Sequence, residues 1–104
     1  MIELSSKQRK LLEKYANSID PVVIVGGNGV SAGVTEKVLQ SLECHELIKV
    51  KFNEFKDEKY ELTQGLVESC QATLVRIIGN VAILYKACEE RENRRYEKEL
   101  SKLA

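Results

Sequence analysis

Residues 22–31 constrain the fold more than any other part of the chain. Four β-branched residues at 22–25 run directly into the glycine-rich tetrapeptide Gly26 to Gly29, and Ser31 follows two positions later. A continuous β-branched run is typical of a strand covered on both faces, and serine is a favoured helix N-cap. The segment therefore predicts a strand that turns through glycines into a helix, a building unit of α/β folds.

The segments on either side predict the remaining elements. Ser5 and Gln8 form a capping-box pattern, which predicts a first helix that is stopped by Pro21. Residues 47–52 alternate between apolar and lysine side chains, as a strand does, and residues 60–70 have helical spacing. Strands at 72–78 and 81–86 are joined by Gly79-Asn80, a strong hairpin signal.

These elements predict a compact α/β domain with the order α-β-α-β-α-β-β and a four-stranded mixed sheet. Two helical crossovers suggest that most of the strand pairing is parallel. At 104 residues the chain has the length of one domain. Ten of the sixteen residues at 89–104 are charged, and we expect a charged tail there, partly helical or mobile, beyond a domain formed by residues 1–88.

Charge and cysteine content limit which ligands and covalent links the chain can have. The net charge is zero, but residues 53–70 hold five acidic and two basic groups, so any polyanion would have to bind a local basic patch. Cys44, Cys70 and Cys88 are widely spaced, which favours neither a disulfide framework nor a zinc site. We expect Cys44 and Cys70 to be buried, and no metal or cofactor to be bound.

Location follows from two further sequence features. No apolar stretch approaches the roughly 20 residues that span a bilayer. The first residues lack the charged-then-apolar layout of a secretory signal. We therefore expect a cytoplasmic protein with no membrane partner.

Three chemistries use a glycine loop between a strand and a helix. A P-loop requires a lysine that this loop lacks. A dinucleotide site remains open, because residues 27–32 match Gly-x-Gly-x-x-Ala, although Phe52 and Asn53 stand where a ribose-binding carboxylate is expected. The third is the Gly-x-x-Gly loop that clamps an RNA backbone. On its own, such a loop is more often a plain strand-to-helix turn.

Four motifs in fixed order extend the pattern over most of residues 4–86. They are Ser6-Lys7-Gln8-Arg9 with Leu12, Pro21-Val22-Val23 leading into Gly26-x-Asn28-Gly29, Glu46-Leu47-Ile48-Lys49-Val50, and Ile78-Gly79 with Leu84-Tyr85-Lys86. In these motifs the sequence resembles the CRM-domain family, the YhbY-like single-domain bacterial proteins. Gly27 departs from the family pattern, since relatives often carry a basic residue there.

The resemblance implies a fold like the C-terminal domain of translation initiation factor three. It also implies a non-enzymatic protein that binds RNA and associates with precursors of the large ribosomal subunit. We expect a monomer, with no catalytic residue and no metal ligand. The predicted RNA contacts are the loop, its helix cap and nearby basic side chains: Gly26, Gly27, Asn28, Gly29, Ser31, Lys7, Arg9, Lys10, Lys14, Lys49 and Lys51.

Overall fold

The first helix, α1 (Ser6–Ala16), begins at the predicted capping box. Ser5 Oγ accepts a hydrogen bond from the Gln8 amide at 3.2 Å, and Gln8 Oε1 accepts one from the Ser5 amide at 2.8 Å. The helix ends at Ala16, earlier than the predicted stop at Pro21. Ile19 still packs against the core, from a turn beyond the helix.

The computed structural model describes residues 3–103. Met1, Ile2 and Ala104, at the outer ends of the predicted domain and tail, lie outside the described residues.

The strands and remaining helices follow the predicted order, with additional short helices near the C-terminus. The strands are β1 (Val23–Val25), β2 (Leu47–Phe52), β3 (Thr73–Ile78) and β4 (Val81–Tyr85). The other α-helices are α2 (Ala32–His45), α3 (Lys59–Cys70) and α4 (Glu97–Ser101), with 3₁₀ turns at Lys56–Glu58 and Arg91–Asn93. The prediction of an α/β fold with a four-stranded mixed sheet is confirmed.

The strand order differs from a mostly parallel sheet, so that expectation is wrong. The order is β1-β2-β4-β3, and only β1 and β2 pair in parallel. The crossover through α3 carries β3 past its expected place to the far edge, and the hairpin then returns β4 between β2 and β3. Both pairings of β4 are therefore antiparallel.

Strand β1 lies at the edge of the sheet and is covered on one face, which corrects the expectation of two covered faces. Val23 and Val25 are buried against α2 and α3, whereas the side chain of Ile24 between them is 55% exposed. A run of β-branched residues indicates that a strand is favoured, but it does not indicate which elements pack on each face of that strand.

Helices cover the sheet on both sides and divide the core into two clusters. One cluster lies between the sheet and the pair α2 and α3, and it includes Val50, Phe52 and Cys70. The other lies between the sheet and α1, and it includes Leu12 and Ile83. Cys44 is exposed, contrary to expectation, because it lies on the outer side of α2, whereas Cys70 is buried as predicted.

A buried carboxylate accepts hydrogen bonds from the chain that follows β4. Glu46 is 2% exposed and caps α2 with a φ of 63°. Its Oε2 accepts the Cys88 amide at 2.5 Å, and its Oε1 accepts the Arg95 amide at 2.6 Å. Its backbone carbonyl accepts the Lys86 amide at 2.8 Å. One residue thus organises about ten residues of otherwise irregular chain.

The C-terminal segment packs on α1 through one leucine and a tyrosine cluster. Leu100 of α4 is buried, and its carbonyl accepts Gln8 Nε2 at 2.9 Å. The Tyr96 ring lies 5.3 Å from that of Tyr15 and 6.2 Å from that of Tyr85, centroid to centroid. The segment predicted to be partly helical or mobile therefore contributes side chains to the second core cluster.

Candidate functional site

The glycine loop forms a tight turn at the end of β1. The Gly29 amide donates to the Gly26 carbonyl at 3.0 Å, and Gly29 has a φ of 66°, in the left-handed region that favours glycine. A Cβ atom at Gly26 or Gly27 would meet nothing within 4 Å. Gly29 is therefore required by the backbone, whereas Gly26 and Gly27 leave the outer surface of the loop bare.

The segment after β2 braces this loop. The amides of Asn53 and Glu54 both donate to the Val25 carbonyl, at 3.0 and 3.2 Å. The ring of Phe55 lies 3.4 Å from the place where a Cβ of Gly29 would stand. Phe55 itself has a φ of 55° and is 42% exposed. Sequence reasoning missed Phe55, although a lone aromatic residue in a polar loop was a usable signal.

The start of α2 leaves backbone donors available beside the loop. Ser31 Oγ accepts the Val34 amide at 3.3 Å, so the predicted N-cap is present. The amides of Ala32 and Gly33 donate to no acceptor among residues 3–103, and the same holds for Gly27 and Asn28. Free amides at a helix N-terminus, together with the helix dipole, favour an anion.

Acidic side chains restrict the direction from which an anion can approach. Glu54, Asp57 and Glu58 line an open depression together with Gly27 and Phe55. Three carboxylates repel phosphate, and Lys56 is the one basic residue that lines this depression. The acidic lining therefore disfavours the approach of a phosphate chain through this depression.

Helix α1 carries four of the predicted basic contacts, in two different situations. Lys7, Lys10 and Lys14 are exposed, and their spacing places them along one face of the helix. Arg9 is half-buried, and its Nη1 donates to the carbonyls of Leu74 and Val75 at 2.6 and 2.7 Å. Arg9 therefore holds α1 against β3, a structural role that the sequence did not reveal.

The two predicted lysines of β2 lie on the same face of the sheet as α1. Lys51 is exposed and Lys49 is half-buried, because α1 covers only part of this face. Lys51 pairs in register with Ile24, which precedes Gly26 by two residues. Lys51 therefore lies beside the end of β1 that leads into the loop.

The remaining reactive side chains do not assemble into a second site. Within residues 3–103, no group of three or more His, Cys, Asp or Glu side chains could hold a metal ion. Burial raises the pKa of the Cys70 thiol. A hydrogen bond to Glu99 raises the pKa of Tyr15, and burial raises that of Tyr85 to about 12. None of these three groups lies in the glycine loop.

The fold and the loop together define a small α/β domain with uncommitted backbone amides in the loop after its edge strand β1 and at the start of α2. No helix among the described residues has both the length and the apolar character needed to cross a membrane. The chain belongs to the CRS1/YhbY (CRM) domain family, whose sequence model matches residues 4–86. This confirms the resemblance found in the four motifs.

Two bacterial relatives match over nearly their full length. An "RNA-binding protein" of Haemophilus influenzae is 37% identical over 91 residues, covering 86% of this chain and 92% of the relative. The Bacillus subtilis "Probable RNA-binding protein YqeI" is 34% identical, covering 90% of this chain and 97% of the relative. The solution structure of the hypothetical protein SAV1595 from Staphylococcus aureus has a TM-score of 0.73 at 33% identity, covering 89% and 98% of the two chains.

Proposed function

We propose that this protein binds RNA without catalysing a reaction, and that it holds backbone phosphates at residues 26–29 and at the N-terminus of α2. The observation that carries the proposal is the set of uncommitted amides at Gly27, Asn28, Ala32 and Gly33. They surround a loop whose surface is bare, so a phosphate oxygen can approach them closely. The relatives named as RNA-binding proteins support the same reading.

The basic side chains supply attraction that does not depend on nucleotide sequence. In this proposal Asn28 adds side-chain amide donors and Ser31 adds a hydroxyl proton, while lysines neutralise neighbouring phosphates. The lysines are Lys7, Lys10 and Lys14 of α1 and Lys49 and Lys51 of β2. Arg9 retains free guanidinium donors beyond its bonds to β3, and it remains a predicted contact.

The partner we propose is ribosomal RNA in precursors of the large subunit, bound in the cytoplasm by a monomer. This part rests on the family resemblance. Loop amides recognise any phosphate backbone, so the choice of RNA segment has to come from its shape or from other contacts.

Replacing Gly27 and Asn28 together with aspartate tests the loop directly. Neither position is sterically restricted, since Gly27 has open space around it and Asn28 is exposed. Two carboxylates should weaken binding to transcribed large-subunit ribosomal RNA by about tenfold or more at low salt. Wild-type affinity should fall steeply as salt rises.

A charge-matched control separates a local effect from a general one. Gln40→Glu with Gln64→Glu adds the same two negative charges on exposed positions of α2 and α3. This control should retain most of the wild-type affinity. Equal RNA affinity in the folded aspartate variant and the wild type, with folding checked by circular dichroism, would refute the loop site.

A dinucleotide site is the second candidate, and one observation favours it. Glu54 lines the same depression as Gly27, where a carboxylate could accept ribose hydroxyls. Saturable binding of a free dinucleotide at micromolar concentration, abolished by Glu54→Gln, would support this candidate over RNA.

A further inference from the structure

One row of side chains crosses all four strands and is left uncovered by α1. Strand registers align Ile24 with Lys51, Lys51 with Val81, and Val81 with Ile78. We call these four residues the open row. Ile24 is 55% exposed and Ile78 is 49% exposed, although both are large apolar side chains on a folded sheet.

The four side chains of the open row point to the same face of the sheet. Their neighbours along each strand, Val25, Val50, Ala82 and Ile77, pack into the cluster beneath α2 and α3. Because successive side chains of a strand alternate, the open row faces the α1 side. Adjacent strands lie about 4.8 Å apart, so the row is about 14 Å long.

The charge of this face is of one sign. The four strands contain Lys49, Lys51 and Arg76 and no acidic residue. Arg76 is paired with Glu13 of α1 at 2.9 Å, whereas no ion pair within residues 3–103 involves Lys49 or Lys51. The carboxylates that line the acidic depression repel a polyanion, whereas Lys49 and Lys51 attract one, so charge favours a path over the lysine-bearing face of the sheet.

We propose that the open row binds unpaired nucleotides of the RNA strand whose backbone the glycine loop holds. This inference rests on the proposed function and extends it from a phosphate site to a surface along which a single RNA strand lies. Duplex RNA is recognised mainly through phosphates and 2′-hydroxyls, which gain nothing from exposed isoleucines. Unpaired bases offer apolar faces that Ile24 and Ile78 can cover, while Lys51 between them neutralises a phosphate.

The size and continuity of the row favour a nucleic acid over a protein partner. Four side chains form a patch far below the roughly 1,000 Å² that a stable protein interface needs. The row also runs directly into the loop, since Ile24 lies on β1, two residues before Gly26. A single strand held at the loop therefore meets the row without a gap.

The test compares a single-stranded RNA oligonucleotide with its duplex of the same sequence. Ile24→Ser with Ile78→Ser should weaken single-strand binding about fivefold or more and leave duplex binding unchanged. Lys51→Gln should weaken binding of both the single strand and the duplex. It should also make the slope of log affinity against log salt concentration shallower by about 0.7 to 0.9. Tyr60→Ser is the control, because Tyr60 is a large side chain on α3 that is at least as exposed as the two isoleucines.

The outcomes separate this inference from the proposed function. If the loop aspartate variant loses RNA while the serine variant binds the single strand as the wild type does, the open row is refuted and the loop site stands. If the wild type binds neither form of RNA, both proposals fall.

Discussion

Removing the carboxylate of Glu46 should destabilise the protein far more than its position between a helix and a strand suggests. The side chain is buried and accepts two backbone amides, from Cys88 and Arg95, at 2.5 and 2.6 Å. Hydrogen bonds to a charged group contribute about 1.5–3 kcal/mol each. Glu46→Ala leaves both amides without an acceptor, so we expect a loss of about 3–5 kcal/mol in the free energy of unfolding. Small domains have only about 5–15 kcal/mol in total.

Two further variants isolate the carboxylate from other effects. Glu46→Gln keeps one acceptor oxygen and turns an amino group towards the second amide, so about half of that loss is expected. Alanine and glutamine meet the same backbone penalty as glutamate at a φ of 63°, so strain cancels in the comparison. Glu43→Ala, an exposed glutamate on the same helix, should change stability by less than about 0.5 kcal/mol.

Urea unfolding followed by circular dichroism gives the free energies. Amide hydrogen exchange gives the local effect, and protection should fall first at Cys88 and Arg95. A loss below about 1 kcal/mol in Glu46→Ala, with exchange at both amides unchanged, would show that these hydrogen bonds do not hold the segment.

Three more predictions test other features of the fold. Thr63 Oγ1 is buried and has no hydrogen-bond partner among residues 3–103, so Thr63→Val should raise the free energy of unfolding in urea by up to about 1–2 kcal/mol. A free energy of unfolding below that of the wild type would contradict this. Gly29→Ala should cost about 1–2 kcal/mol, because alanine is strained at a φ of 66°, whereas Gly27→Ala should be nearly neutral. Burial raises the pKa of Tyr85 to about 12, so unfolding releases a proton between pH 10 and 12. Stability should therefore fall by about 1.4 kcal/mol per pH unit across that window, and Tyr85→Phe should flatten the fall; an unchanged slope would be inconsistent with this assignment.

Local features of the fold could be predicted from the sequence because their causes are local. The capping box at Ser5, the alternation in β2 and the Gly79-Asn80 turn each depend on neighbouring residues, and the structure has all three. Strand order could not be predicted in the same way. Whether β4 pairs with β2 depends on where the α3 crossover places β3, and no local pattern encodes that.

The candidate site was predicted in part for the same reason. The loop glycines and the Ser31 cap are sequence neighbours, whereas Phe55 reaches Gly29 from a different loop. The role of Arg9 was also missed, since its carbonyl acceptors lie more than sixty residues away on β3. Exposure of Ile24 follows only from the edge position of β1.

The amides that donate to Glu46 also determine how much of the chain is needed for the domain to fold in another protein. The family match ends at residue 86, yet the two donors come from residues 88 and 95, and Leu100 completes the core beneath α1. A fusion that carried only the matched segment into another protein would bring along a buried anion with no donors and an uncovered apolar face. The unit that can be transplanted is therefore longer than the segment that the family model matches, and it extends through α4.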